Sequence, residues 1–175
     1  MATKEKGRRD PYRIEMYQVG VLTVSDRGAR GEREDKSGKI MIDLLKEAGF
    51  DIAVYTIVPD DEDLISKTLI NWVGKGLDLI LTTGGTGVSP RDLTPEATRR
   101  VIEREVPGIE EALRQDGLKK TPYAMLSRGI AGIRKQTLII NLPGGPKAVK
   151  EGLEVIIPAL RHALEKIKGD ESECG

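Results

Sequence analysis

One stretch of this 175-residue chain has the residue types to hold a phosphate. Thr82-Thr83-Gly84-Gly85-Thr86-Gly87 places three glycines in four positions, directly after an apolar run that reads as a strand. Glycines let the backbone approach a ligand closely and turn its N–H groups towards an anion. Hydroxyls on Thr83 and Thr86 would add donors. The run continues through Pro90-Arg91-Asp92 to Thr94-Pro95-Glu96-Ala97, which opens a helix with Thr94 as N-cap and Pro95 in the first turn. Asp92 is then a carboxylate beside a phosphate cradle. That is a natural place for a Mg²⁺ ligand, because magnesium takes oxygen donors and bridges to phosphates. It also reads as a turn residue or as a partner for Arg91. Asp60 follows another strand and is placed either to act with Asp92 or to cap the next helix.

Two further loops carry polar or glycine-rich chemistry. Ser25-Asp26-Arg27-Gly28 offers a hydroxyl, a carboxylate and a guanidinium, and equally fits a solvated loop. Leu142-Pro143-Gly144-Gly145-Pro146-Lys147 is a stiff turn with exposed amides, and equally fits an ordinary start to a helix. No GxxxxGK[ST] pattern occurs, which excludes a P-loop NTPase.

The elements that must position these loops alternate. Met16 to Asp26 contains a buried strand. A polar stretch from Arg27 to Gly38 reads as a loop, and Ile40, Met41, Leu44, Leu45 and Ala48 mark one face of a helix that Gly49 ends. Ile52–Val58 is a strand, and Leu64, Ile65, Leu69, Trp72 and Val73 form the next helical stripe. Asp78–Thr83 is a third strand. This alternation predicts βαβ units and a parallel sheet covered on both faces. Ligands in such sheets bind beyond the carboxyl ends of the strands. The second half is less regular. Pro107 closes one helix and a short one runs to about Gly117. Gly129–Arg134 and Thr137–Leu142 are separated only by Lys135-Gln136, which requires a hairpin, so one of the two runs against the sheet. A last helix runs from Pro146 to about Lys168, and Pro158 inside it is expected to kink or split it.

Composition narrows the chemistry. Lys plus Arg and Asp plus Glu each number 28, so no excess positive charge speaks for nucleic acid. The only cysteine is Cys174 and the only histidine is His162. A disulfide framework, a zinc cluster and most nucleophilic hydrolase mechanisms are therefore excluded, which leaves carboxylates, backbone amides and metal ions. No apolar run reaches the roughly 18 residues that span a bilayer, and residues 1–15 read as a flexible polar arm without a signal peptide's apolar centre. These features predict a cytoplasmic protein with one domain over residues 16–168 and a flexible tail over 169–175.

Taken together, TVSDRGARGEREDKSG, VPDDED, TTGGTGVSPRDLTPEAT, AMLSRGIAGIRKQTLIINLPGGPKAV and PALRHAL resemble the MogA/MoaB family of molybdenum-cofactor biosynthesis, which is similar in turn to the G domain of gephyrin. The resemblance spans residues 16–168 and implies a three-layer α/β/α fold with a mostly parallel mixed sheet, assembled as a homotrimer or a pair of trimers. It also implies adenylyl transfer. The terminal phosphate of molybdopterin attacks the α-phosphate of ATP in the presence of Mg²⁺, and a separate enzyme then inserts molybdate or tungstate. The family's two essential carboxylates fall on Asp60 and Asp92, both implied Mg²⁺ ligands. Its ligand cradle falls on Ser25, Asp26, Gly84, Gly85, Thr86, Gly87, Thr94, Glu96, Ser127, Pro143 and Gly144. Gly145 departs from the relatives, which often carry Ser or Asn there. A non-catalytic molybdopterin carrier of the MoaB type is the alternative.

Overall fold

The computed structural model describes residues 16–173. The expected arm at 1–15 and Cys174 lie outside them. Six strands form one sheet: β1 (Gln18–Val24), β2 (Asp51–Val58), β3 (Leu79–Thr83), β4 (Arg104–Glu105), β5 (Ala131–Arg134) and β6 (Thr137–Leu142), in the order β2-β1-β3-β6-β5-β4. β2, β1, β3 and β6 are mutually parallel, and β5 is antiparallel to both β6 and β4. The hairpin strand that opposes the sheet is thus β5.

Around the sheet lie α1 (Asp26–Ala29), α2 (Lys36–Glu47), α3 (Glu62–Gly74), α4 (Thr94–Arg99), α5 (Pro107–Leu118) and α6 (Pro146–Ile167), with a 3-10 turn at Pro122–Leu126. Alternate strand residues go to opposite faces because the pleat has period two. Val21, Leu81 and Ile140 pack with Met41 and Leu45 of α2 and with Leu153 and Leu160 of α6. Leu22, Ile80 and Ile139 pack on the other face with Leu69 and Trp72 of α3 and Ala97 of α4. That is the α/β/α sandwich. β3 and β6 are buried along their whole length, as parallel strands between two helical layers should be.

Several expectations need correction. The stretch after β1 is not all loop: Ser25 caps the single turn α1, its Oγ accepting from the Gly28 N–H at 3.0 Å. Leu64 is 40 % exposed, because the buried stripe of α3 starts at Ile65. Thr94 is not an N-cap. Leu93 holds that position, and α4 stops at Arg99, well before Pro107. Pro107 opens α5 rather than closing the helix before it. Pro158 does not split α6, which runs unbroken for 22 residues. Pro158 and Glu154 are both exposed, so the bond that the proline removes falls on the face of the helix turned away from the core. The buried stripe Leu153-Ile156-Leu160-Leu164 passes the proline uninterrupted.

One polar side chain ties the layers behind the strand ends. Asn141 on β6 is 3 % exposed. Its Oδ1 accepts from the Ile130 N–H at 3.1 Å, and its Nδ2 donates to Thr82 and Thr98 Oγ1 at 3.0 Å each. Truncation to alanine strands several buried polar groups at once. Asn141→Ala is therefore expected to lower unfolding free energy by roughly 3–5 kcal/mol, read as a shift of the urea midpoint. A loss below about 1 kcal/mol would mean the network is not structural.

Candidate active site at the carboxyl ends of the parallel strands

The loops after β1, β2, β3 and β6 meet at one end of the sheet, and the turn of Gly84–Gly87 lies at their centre. Gly84 and Gly85 take φ of +94° and +67°, a region that side chains with a Cβ rarely enter. The two glycine turns touch: a Cβ on Gly144 would lie 3.3 Å from Gly84 Cα.

All four carbonyls of this turn are held from behind. Thr94 Oγ1 donates to Gly84 O at 2.9 Å and the Thr94 N–H donates to Gly85 O at 3.1 Å. The Arg128 N–H donates to Thr86 O at 2.8 Å, and its Nε donates to Gly87 O at 2.6 Å. Two ties bind the turn to the end of β6: the Gly84 N–H donates to Leu142 O at 3.2 Å and Thr83 Oγ1 donates to Pro143 O at 2.7 Å. Ser37 Oγ in turn holds Gly144 O at 2.6 Å. Among the described residues, the N–H groups of Gly85, Thr86 and Gly87 donate to no acceptor. With every carbonyl tied back and three successive amides free, the turn is a preorganised anion cradle. The Thr83 hydroxyl, expected as a ligand donor, is spent on Pro143; that of Thr86 donates to no described residue.

Three carboxylates surround the cradle in different states. Asp26 is fully committed: both its oxygens accept from Arg91, at 2.7–3.1 Å, and its Oδ1 also accepts from the Asp60 N–H. The Arg91 guanidinium, helped by that backbone N–H, holds the Asp26 carboxyl below the ordinary range. Asp60 returns the bond, its Oδ2 accepting from the Asp26 N–H at 3.1 Å, while Oδ1 accepts from no described residue. The cap of α3 is the neighbouring Asp61, which accepts from the Leu64 N–H at 2.8 Å, so Asp60 is released from that role. Burial pushes the Asp60 carboxyl up, and the negative charge of Asp26 adds to the push. Asp92 does not pair with Arg91. Its Oδ2 accepts from the Ser89 N–H at 2.9 Å and Oδ1 accepts from no described residue. A Cβ on Gly85 would lie 3.1 Å from Asp60 Oδ1, and one on Gly87 would lie 2.8 Å from Asp92 Oδ2. One oxygen on each of two acids, at either end of the free amides, is thus left for a ligand.

Two cavities open on either side of the glycine turns. The first, of about 430 Å³, is lined by Ser25, Gly28, Ser37, Gly84 and Gly144 and by the charged run Arg33–Lys36. The second, of about 470 Å³, is lined by Gly85, Thr86, Gly87, Asp92, Ser127, Pro143 and Gly144, with Leu113, Tyr123 and Leu126 supplying apolar wall. Gly144 lines both. Asp26, Asp60, Thr94 and Glu96 line neither. Thr94 is buried beneath the cradle, and Glu96 binds the Arg128 guanidinium, which holds its carboxyl below the ordinary range. Arg128, which also donates to Asp92 O at 2.7 Å, is the organising residue that sequence reasoning missed. Its only signal is its place beside Ser127.

The groups present fit a magnesium ion shared with phosphates. Among the described residues, no three acids, histidines or cysteines converge as a protein-only metal cage. Magnesium usually takes one or two carboxylates and completes its shell with water and substrate phosphate oxygens. The free oxygens of Asp60 and Asp92 beside the amide cradle match that need. No helix of the described residues is long and apolar enough to cross a membrane.

Comparison with known proteins agrees with this geometry. The family described as "probable molybdopterin binding domain" matches residues 20–162. A molybdopterin adenylyltransferase of Helicobacter pylori is 44 % identical over 160 residues, covering 90 % of this chain and 91 % of the relative. Gephyrin of Dictyostelium discoideum is 44 % identical over 92 % of this chain, which spans only 23 % of gephyrin's length. Among solved structures, the molybdopterin biosynthesis enzyme MoaB from Thermus thermophilus superposes with a TM-score of 0.84 at 53 % identity, covering 89 % of this chain and 98 % of that one. With a fold, a cradle and relatives that coincide over nearly the same residues, the chain belongs to the molybdopterin-binding family of molybdenum-cofactor biosynthesis proteins.

Proposed function

We propose that this chain is a molybdopterin adenylyltransferase, which transfers AMP from Mg-ATP to molybdopterin and releases pyrophosphate. The observation that carries this reading is the row of free amides at Gly85, Thr86 and Gly87, flanked by one free carboxylate oxygen each from Asp60 and Asp92. The cradle binds phosphate oxygens on the α-phosphate and fixes its orientation. An oxygen of the terminal phosphate of molybdopterin forms the new bond to the α-phosphorus. The bond from that phosphorus to the α–β bridging oxygen breaks, and the bridging oxygen leaves with pyrophosphate and keeps the electron pair. The attacking phosphate is already ionised, so no general base is needed, and catalysis is positioning plus charge stabilisation.

Asp60 and Asp92 would hold Mg²⁺, which when bound would neutralise the charge that develops on the phosphate oxygens. Asp26 and Arg91 act from behind: their pair, together with the reciprocal bonds between Asp26 and Asp60, keeps the Asp60 carboxylate aimed at the cradle. Burial raises the Asp60 carboxyl above its ordinary range, and a bound cation would push it in the opposite direction. By kinship, the working form is a cytoplasmic homotrimer or pair of trimers, and the product passes to an enzyme that inserts molybdate.

The test is an incubation of purified protein with molybdopterin, ATP and Mg²⁺, scored for adenylylated pterin and pyrophosphate in equal amounts. Tight pterin binding without either product would replace this reading by that of a carrier.

A further inference from the structure

The two cavities beside the glycine turns differ in which of their charges are already paired. In the first, both acids are committed. Glu34 is paired with Lys39 at 2.6 Å. Asp35 accepts from Thr23 Oγ1 at 2.6 Å, from the Tyr55 hydroxyl at 2.5 Å and from the Gly38 N–H at 2.9 Å. Both bases, Arg33 and Lys36, line the same cavity and have no ion pair or side-chain hydrogen bond with any described residue. In the second cavity the cations are spent: Arg114 on Glu110, and Lys120 on Asp116 and Glu151. Asp92 remains there as an uncompensated acid, and much of the wall is apolar. A polyanion entering this cleft is therefore drawn to one side only.

We propose that the first cavity is a polyphosphate site, in which Arg33 and Lys36 grip the β- and γ-phosphates of ATP and then the departing pyrophosphate. This rests on the adenylyltransferase reading and adds to it a direction. The reacting α-phosphate lies on the glycine turns, the leaving group on the Arg33 and Lys36 side, and the pterin on the apolar side. Two cations around the leaving group stabilise the charge that gathers on it as the bond to the α-phosphorus breaks, where it is stronger than in bound ATP.

The test uses inorganic pyrophosphate and AMP as separate probes in titration calorimetry on the full chain. Arg33→Ala/Lys36→Ala is expected to weaken pyrophosphate binding at least about tenfold, the loss of one charge-assisted contact or more, while AMP binding stays within about twofold of wild type. The charge-conserving Arg33→Lys/Lys36→Arg should keep pyrophosphate affinity. Lys75→Ala, after the far end of α3, should change neither probe. Three outcomes overturn the proposal: wild-type protein that does not bind pyrophosphate, a double alanine variant that binds it as well as wild type, or a variant that loses AMP in equal measure. Because binding is read without turnover, the two ideas fail separately. A wild-type chain that makes no adenylylated pterin, yet loses pyrophosphate in the double variant, would remove the adenylyl transfer and leave the polyphosphate site in place.

Discussion

Asp92→Asn is expected to lower turnover by about a thousandfold or more while the protein remains folded. The substitution keeps size and shape, and the amide oxygen can still accept the bond from the Ser89 N–H that Asp92 Oδ2 accepts at 2.9 Å. The charge is what disappears, together with the free oxygen offered to magnesium. A lost metal ligand removes several kcal/mol of transition-state stabilisation, and each ~1.4 kcal/mol is a factor of ten in rate. Initial rates at saturating ATP and Mg²⁺, with a thermal melt on the same preparation, decide it. A variant that turns over at wild-type speed would remove Asp92 from the reaction.

The second large effect concerns the backbone itself. Gly84→Ala would set a Cβ against the carbonyl oxygen of Val24, at a residue whose φ is +94°. Neither burden can be relieved by a side-chain rotation, because the obstacle is the end of β1. Positive φ costs an alanine about 1–2 kcal/mol and the clash adds roughly 1–3 kcal/mol, so a loss of about 3 kcal/mol in urea unfolding is expected, with turnover falling as the cradle shifts. Gly145→Ala is the internal control. A Cβ there meets nothing within 4 Å and the backbone is extended. Its stability should stay within about 0.5 kcal/mol of wild type. Equal losses at the two positions would mean that the close approach to Val24 does not matter.

How far the site could be read without coordinates follows from the range of each interaction. The glycine turn, Asp92 and the helix behind them are neighbours in sequence, so composition and spacing suffice to pick them out. Asp60 and Asp61 are adjacent identical acids, and no pattern says which one caps α3. Only the bond from the Leu64 N–H to Asp61 frees Asp60. Arg128 was invisible for a different reason. It acts on Gly87 from 41 residues away, and a single arginine after a serine has no periodicity to mark it. The fold divides the same way. Parallel strands of five to eight residues stand out as apolar runs, whereas β4 has two residues, both exposed, and pairs only because β5 lies beside it. The exposed face of α6 decided the fate of Pro158, and a proline alone does not reveal which face it occupies.

The order of strands also sets a timetable for biosynthesis. β3 leaves the ribosome well before its neighbour β6, and Thr83 must wait 60 residues for the Pro143 carbonyl that its hydroxyl holds. Until then β1, β2 and β3 can associate, but β3 presents a bare edge and the cradle lacks its ties to Leu142 and Pro143. An edge of that kind is a template for pairing with another chain. Translation that stalls or stops short of residue 142 is therefore expected to yield a sticky, inactive fragment, because the reactive turn acquires its working shape only once residues 142–144 are in place.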